Sequence, residues 1–249
     1  MIIRDNETVD LSTPSGVMRA HIFRPAAPGR FPGIIFFSEI YQVTGPIRRA
    51  AAILAGHGFM VMVPEVYHEY EAPGTVLTYS EAGTARGNQL KITKTVQGFD
   101  DDAKACVAYL QQAEFCTGNI GAVGMCLGGH LAFRAGLLPQ VRAAACLYPT
   151  DIHKCSLGFG QADNSLARCA EITGELLMVF GRQDPHIPQV GRALIYERLS
   201  AAERTFEWHE YNAAHAFMRD EGPRYNPQLA AQCYALMVSL FQRTLLASV

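Results

Sequence analysis

Residues 119–130 read Asn-Ile-Gly-Ala-Val-Gly-Met-Cys-Leu-Gly-Gly-His, an apolar strand followed by a cysteine and then by a helical pattern. Cys126 has one glycine two positions before it, Gly124, and another two positions after it, Gly128. Strand, Gly-x-Cys-x-Gly and helix in this order are typical of a nucleophile elbow, in which a strained turn presents the reactive side chain. Larger flanking side chains would collide where the strand and the helix approach each other. The segment therefore predicts that Cys126 is a nucleophile carried by a strand of an α/β sheet.

A buried structural cysteine is the alternative interpretation of Cys126, because free cysteines are among the most buried residues. A comparison is provided by the other six cysteines, at positions 106, 116, 146, 155, 169 and 233. None of the six has glycine at both flanking second positions, and Cys106, Cys146 and Cys233 lie within apolar helix or strand patterns. The elbow pattern is thus specific to Cys126, which favours the nucleophile.

Outward from this segment, short apolar runs alternate with helical patterns. Most runs are continuously apolar, which is typical of parallel strands that are covered on both faces. The alternation predicts one doubly wound α/β domain over residues 1–249, with a mostly parallel sheet and helices on both faces. The predicted strands are 33–37, 59–63, 120–124, 143–148, 176–180 and 205–211, and the predicted helices are 46–55, 100–112, 127–138, 189–201 and 228–246.

Two stretches depart from this alternation. Residues 1–25 contain the turn signal Thr-Pro-Ser-Gly at 13–16 between extended segments, which predicts an antiparallel hairpin at the sheet edge. Residues 65–98 are rich in Gly, Thr, Tyr and charged residues without clear periodicity, and we expect them to form a long excursion above the sheet. Long loops of compact domains are usually functional.

Composition excludes several classes of partner. The 249 residues carry 21 basic and 23 acidic side chains, without the basic stripe that nucleic acids require. No apolar run approaches the ~18 residues of a membrane span, and the first five residues include a charge pair, so we expect an unexported cytoplasmic protein without membrane contact. Seven cysteines without a C-x-x-C pair disfavour disulfides and zinc. We expect no cofactor, no metal, and a monomer or small homo-oligomer.

An elbow predicts its partners in chain order, an acid after a later strand and a histidine after the last strand. Asp184 follows the apolar run 176–180, and His215 follows the last predicted strand. A carboxylate would hold the imidazole in one tautomer, and the imidazole would keep the sulfur as thiolate. Taken alone, Asp184 could be a loop acid or a helix cap, and His215 a solvated loop histidine. Their order and position favour catalysis.

Three other histidines compete for the role of base. His130 follows Cys126 by four residues, but a side chain inside the elbow helix points along that helix. His186 is expected to belong to the turn at Asp184, and His57 to the end of a helix, where a cation suits the dipole. We expect all three to be structural.

The motifs around these residues resemble those of the dienelactone hydrolases (carboxymethylenebutenolidases) of the α/β-hydrolase superfamily, from about residue 16 to residue 246. The elbow carries cysteine where lipases carry serine, and residues 36–41 read Phe-Phe-Ser-Glu-Ile-Tyr, similar to the end of that family's early strand. Asp184 followed by His-Ile-Pro, and His215 followed by Ala-Phe-Met-Arg, are similar to the acid and histidine loops of the family. The resemblance implies an α/β-hydrolase fold.

The resemblance also implies roles that spacing alone does not. Glu39 would interact with the resting thiol and, as a nearby carboxylate, raise its pKa until substrate binds; an exposed loop acid is the alternative. The oxyanion hole would be formed by the backbone amides of Leu127 and Ile40. Arg219 and Arg86 would be the two arginines that bind the substrate carboxylate. For Arg219 the alternative is a surface ion pair with an acidic neighbour in the chain.

These residues together predict a hydrolase that attacks a small, anionic ester or lactone, with a dienelactone as the first expectation. A general carboxylesterase or thioesterase is the second. A different class of function is also open, because a catalytically silent scaffold could sense a ligand or an oxidant through Cys126.

Overall fold

A mostly parallel sheet of eight strands organises residues 1–246, which the computed structural model describes. The strands are β1 (Ile3–Thr13), β2 (Gly16–Pro25), β3 (Phe31–Phe37), β4 (Met60–Pro64), β5 (Cys116–Met125), β6 (Val141–Leu147), β7 (Glu175–Gly181) and β8 (Phe206–Tyr211). Their order is β1-β2-β4-β3-β5-β6-β7-β8. β1 and β2 form an antiparallel hairpin and β2 pairs antiparallel with β4, whereas the strands from β4 to β8 run parallel. The predicted parallel sheet and N-terminal hairpin are confirmed.

Six helices flank the sheet: α1 (Gly45–Gly56), α2 (Glu81–Thr93), α3 (Val96–Gln112), α4 (Leu127–Ala135), α5 (Gln189–Ala201) and α6 (Pro227–Leu245). Every residue of β4 is buried, as are six of the seven residues of β7. Because successive side chains of a strand point to opposite faces, such strands must be covered on both sides. The continuous apolar runs in the sequence therefore correspond to the central strands of the sheet.

The structure corrects the prediction for residues 65–98. This segment contains helix α2, and α3 begins at Val96 rather than at residue 100. Side-chain caps define both starts: Ser80 accepts a hydrogen bond from the amide of Gly83, and Thr95 accepts one from the amide of Gly98. The buried residues of α2 are Gly83, Gly87 and Leu90, which give it no apolar stripe. A search for apolar periodicity could not detect this helix.

The candidate site residues lie at the edge of the sheet at which the parallel strands end. Ligands of open α/β sheets bind outside the carboxyl ends of the strands. Three short 3-10 turns lie between β6 and β7, and they bring residues 150–154 to the same edge. Within residues 1–246, no helix combines the length and the apolarity needed to cross a bilayer.

Candidate active site

Cys126 occupies a strained turn between β5 and α4, with φ 59° and ψ −121°. Non-glycine residues rarely adopt such angles, and they persist at sites where the surroundings impose them. A Cβ atom on Gly124 would lie 1.9 Å from the carbonyl oxygen of Gly128, and one on Gly128 would lie 2.0 Å from that of Phe37. A larger side chain at either position would therefore collide with the backbone, as the sequence predicts.

Leu127 is the first residue of α4, so its N–H has no partner within the helix. The contact between Gly128 and Phe37 brings the end of β3, and the loop that carries Ile40, against the start of α4. Among residues 1–246, no hydrogen bond is found for the amide of either Leu127 or Ile40. Ile40 is 7% exposed and lines the cavity beside Cys126, whereas Leu127 is fully buried and is not among the described residues that line it.

Asp184 and His215 meet at the ends of β7 and β8. The Nδ1–H of His215 donates to Oδ2 of Asp184 across 2.6 Å, and both residues are buried. Gly181 allows this approach, because a Cβ there would lie 2.3 Å from the carbonyl oxygen of Ala213. That same carbonyl oxygen accepts a hydrogen bond of 3.0 Å from the amide of Gln183, so the two loops are held together.

The ring of His215 is held between two other rings. Tyr148 and His186 contact it edge-on, with ring centroids at 5.2 Å and 4.7 Å. Burial opposes protonation of His215, but Cys126 and Asp184 outweigh it and raise its pKa to about 10. Burial and the nearby His215 lower the pKa of His186, so this second imidazole is neutral at physiological pH. His186 lies in a turn, as the sequence predicts, but its contact with the ring of His215 was not predicted.

Glu39 and Arg219 form an ion pair in the same cavity. Their Oε2 and NH1 atoms are 3.6 Å apart, and Glu39 is only 2% exposed. Burial raises the pKa of Glu39 despite the attraction of Arg219. The guanidinium also lies 4.3 Å from the ring centroid of Tyr79, a cation-π contact. Glu39 and Cys126 line the same cavity, and within residues 1–246 no hydrogen bond is found for Oε2 of Glu39. The interaction with the resting thiol that the resemblance implies stays a prediction.

The surface ion pair considered for Arg219 is made by another arginine. Arg49 donates to Asp220 at 2.6 Å and to Glu221 at 2.7 Å. Both acidic neighbours of Arg219 in the chain are therefore occupied, and Arg219 turns into the cavity, where it is 11% exposed as a side chain.

One cavity of about 240 Å³ is lined by six of these residues, Glu39, Ile40, Cys126, His186, His215 and Arg219. Its wall includes Cys126, His215, Glu39 and Arg219, together with cationic residues that the sequence analysis missed, Lys91, Lys154 and Arg224. Such a set can deprotonate a thiol, direct it at a carbonyl carbon and stabilise the oxyanion that forms.

The structure corrects the prediction that Arg86 belongs to the site, because Arg86 is not among the described residues that line the cavity. Its Nε donates to Glu71 across 2.7 Å, and its NH1 donates to Gln89 on the same helix. It lies on α2, whose cavity-facing positions are Thr84, Asn88 and Lys91. Arg86 therefore points along a different face of the helix.

The two other histidines considered for the base, His130 and His57, are not among the described residues that line the cavity. Nε2 of His130 lies 2.6 Å from Oγ of Ser165 and 3.5 Å from Asp163, and the residue is fully buried. His57 caps the end of α1, as expected. Burial raises the thiol pKa of each of the six cysteines other than Cys126, and all seven are free.

Comparison with known proteins finds one family that matches most of the chain. A model of the dienelactone hydrolase family matches residues 18–245. A protein of Saccharomyces cerevisiae is 41% identical in an alignment 248 residues long that covers 95% of this chain and 90% of the relative. The carboxymethylenebutenolidase of Pseudomonas sp. (strain P51) is 26% identical over 229 residues, 92% of this chain and 91% of that enzyme.

Solved structures share the architecture. A Klebsiella pneumoniae protein superposes with a TM-score of 0.84 at 21% identity, covering 98% of this chain and 100% of that one. A dienelactone hydrolase-like promiscuous phosphotriesterase from metagenomic libraries gives a TM-score of 0.78 at 16% identity, covering 98% and 99%. At these identities the likeness is evidence for the fold alone.

Proposed function

Because the chain belongs to the dienelactone hydrolase family and has the α/β-hydrolase fold of its structural neighbours, we propose that it hydrolyses small carboxylated lactones or esters with Cys126 as nucleophile. One observation carries the proposal. The strained turn at Cys126, the hydrogen-bonded pair of His215 and Asp184, and the guanidinium of Arg219 meet at one cavity. A nucleophile, its base and a site for a carboxylate are thus available to one small molecule.

The proposed reaction has two halves. His215 takes the proton of the Cys126 thiol while Asp184 holds its ring in the tautomer with hydrogen on Nδ1. The thiolate attacks the carbonyl carbon, and the carbonyl oxygen becomes an oxyanion that the amides of Leu127 and Ile40 stabilise. When the intermediate collapses, the carbon–oxygen bond breaks and His215 protonates the leaving oxygen. Water then attacks the thioester with His215 as base, which releases the acid and restores the thiol.

Arg219 supports a carboxylate on the substrate. Its ion pair with Glu39 is 3.6 Å long, beyond hydrogen-bonding distance, so its donors are not consumed by that carboxylate. A substrate carboxylate can accept two parallel N–H bonds from one guanidinium, which a neutral ester cannot. The Pseudomonas relative carries the name carboxymethylenebutenolidase, which describes a lactonase of this kind.

The proposal is tested with an activated aryl ester that carries a carboxylate, 4-nitrophenyl hemisuccinate. Nitrophenol should appear as a burst equal to the enzyme concentration, followed by steady turnover, and mass spectrometry should find a succinyl group on Cys126. Cys126→Ala should abolish both. Cys155→Ala is the matched control, because Cys155 is the other cysteine that is not fully buried.

Each outcome separates the alternatives. Acylation of Cys126 without turnover would favour the silent sensor over the hydrolase. Activity of Cys126→Ala above about a tenth of the original kcat would exclude Cys126 as nucleophile, because covalent catalysis would then supply less than ~1.4 kcal/mol.

A further inference from the structure

One face of helix α2 is polar and lines the cavity. Thr84, Asn88 and Lys91 are spaced i, i+4 and i+7, so their side chains share one stripe of the helix. A helix at the edge of a core ordinarily turns an apolar stripe inward. The buried residues of α2 are instead two glycines and one leucine, and the stripe beside them consists of hydrogen-bonding groups and a cation, which are the groups that bind a polar ligand.

Close packing fixes this polar stripe beside the reaction centre. Gly87 lies against the loop that carries the proposed oxyanion amide, since a Cβ on Gly87 would be 2.5 Å from the carbonyl oxygen of Ile40. Gly83 is packed equally closely, since a Cβ on Gly83 would be only 2.1 Å from the carbonyl oxygen of Thr78. The hydroxyl of Tyr41 bonds Thr84 at 2.8 Å. Helix α2 is therefore a rigid wall of the cavity rather than a mobile cover.

Lys91 is held in place by an aspartate from the loop after β6. Its Nζ donates to Oδ2 of Asp151 across 2.9 Å, and the two side chains are only 16% and 14% exposed. Asp151 has φ 69°, an uncommon conformation for a non-glycine residue, and Ser156 donates to its other oxygen at 3.2 Å. Because an ammonium has three donors and Asp151 takes one, Lys91 keeps donors for a ligand.

The positive and negative charges on this side of the cavity, from α2 and the loop after β6, do not balance. Lys91 and Lys154 contribute two positive charges, Asp151 contributes one negative charge, and no ion pair is found for Lys154 within residues 1–246. This side of the cavity therefore keeps a net positive charge near the site of attack.

We propose that Lys91, Lys154 and Asn88 form a second anion-binding subsite, which takes a second carboxylate of the substrate. The inference rests on the proposed function and extends it: Arg219 binds one carboxylate, Lys91 binds another, and the preferred substrates are dianionic esters or lactones. The two cations belong to separate ion pairs on different elements, Lys91 with Asp151 and Arg219 with Glu39. Each can therefore bind its own carboxylate.

Equilibrium binding tests the subsite without any reaction. Calorimetry compares α,ω-dicarboxylates of four to eight carbons with monocarboxylates of equal length. At its best length the dicarboxylate should bind about tenfold more tightly than the monocarboxylate. Lys91→Gln should remove this advantage, and Lys154→Gln, at an exposed position, should reduce it. Lys104→Gln is the matched control, because Lys104 is exposed on α3 and pairs with Asp101 away from the cavity.

The second measurement is kcat/KM for three esters. These are 4-nitrophenyl hemisuccinate, the same ester with a further carboxylate on its aryl ring, and neutral 4-nitrophenyl acetate. Lys91→Gln should lower kcat/KM about tenfold more for the dianionic ester than for the neutral 4-nitrophenyl acetate. An equal loss on all three esters, or a dicarboxylate advantage that survives Lys91→Gln, overturns the subsite. If the dicarboxylate advantage depends on Lys91 but no ester is hydrolysed, the subsite stands and the proposed hydrolase fails.

Discussion

The carboxylate of Asp184 binds His215 with one oxygen and the backbone beside it with the other. Oδ2 accepts from Nδ1 of His215 across 2.6 Å, while Oδ1 accepts from the amide of His186 across 2.8 Å. Both oxygens of Asp184 are therefore acceptors in fixed positions. An isosteric amide cannot satisfy both contacts in the same orientation, because its NH₂ group would face one of the two donors.

Asp184→Asn and His215→Gln should each lower kcat for an activated ester by about 10³-fold or more, measured under saturating substrate. The asparagine would favour the wrong tautomer of His215, and the glutamine would leave the thiol without a base. The double variant should be little worse than either single one, because the two residues act as a unit. His130→Gln is the control, since His130 bonds Ser165 inside the core. An inactive His130→Gln beside an active His215→Gln would show that the base has been assigned wrongly.

Iodoacetamide should label Cys126 before the other six cysteines at pH 7, as followed by peptide mass spectrometry. Alkylation requires the thiolate, and an imidazolium beside a thiol favours it. The pKa of His215 is raised to about 10, so that cation is available at neutral pH, whereas burial raises the thiol pKa of Cys106, Cys155 and Cys233. His215→Gln should slow labelling of Cys126 alone. Faster labelling of partly exposed Cys155 in the original protein would contradict activation of Cys126.

Glu39→Gln should make the protein more stable at pH 8 than the original chain. Burial raises the pKa of Glu39 above its ordinary value of 4.5 despite Arg219, so the folded state favours the protonated form. For such a group, stability is greatest below pH 4.5 and is lost as the pH rises through the folded pKa. The difference between the two proteins should therefore vanish near pH 4 and grow towards pH 8, measured as urea midpoints.

Exposed Glu171 provides a control of opposite sign for this pH dependence. Its hydrogen bond from Arg168 lowers its pKa, so Glu171→Gln should bring no gain in stability at pH 8. A Glu39→Gln protein that is less stable than the original at pH 8 would mean that the ion pair with Arg219 outweighs burial. A gain in stability together with a loss of activity would mark Glu39 as a residue kept for function.

Local sequence could predict the parts of the fold that depend on apolar runs and chain order. The elbow at Cys126 could be predicted because close packing admits only glycine at positions 124 and 128. Asp184 and His215 could be predicted from the order of the loops that follow the parallel strands. Helix α2 could not be predicted by the same means, because its buried face consists of two glycines and one leucine and gives no apolar stripe. Its start was signalled only by Ser80, a cap that carries no information about burial.

The cavity charges illustrate a second limit. Arg86 was selected as the only arginine between residues 65 and 98, but the face of a helical residue depends on its phase, and that phase could not be set while the helix was undetected. Lys91, five positions later on the same helix, lines the cavity instead. His186 was passed over because a ring that packs edge-on against another loop leaves no periodic trace in the sequence.

Arg219→Ala tests whether the substrate carries a carboxylate at this end of the cavity. The guanidinium is largely buried between Glu39 and the ring of Tyr79, and losing a charge-assisted pair in such a setting costs ~1.5 to 3 kcal/mol, roughly ten- to a hundredfold in kcat/KM. We expect that loss for a carboxylated lactone and for 4-nitrophenyl hemisuccinate, while kcat/KM for 4-nitrophenyl acetate stays within about twofold. The measurement is the ratio of the two specificity constants, which cancels any shared loss of folded protein.

Arg49→Ala is the matched control for this experiment, because Arg49 has the same charge and holds Asp220 and Glu221 at the surface beside Arg219. Exposed pairs of this kind contribute ~1 kcal/mol or less to stability, and Arg49 does not line the cavity as described. Its substitution should therefore leave the ratio of the specificity constants unchanged. If Arg219→Ala lowers hydrolysis of neutral and carboxylated esters equally, Arg219 supports the cavity wall without recognising a carboxylate, and the protein is better described as a general esterase.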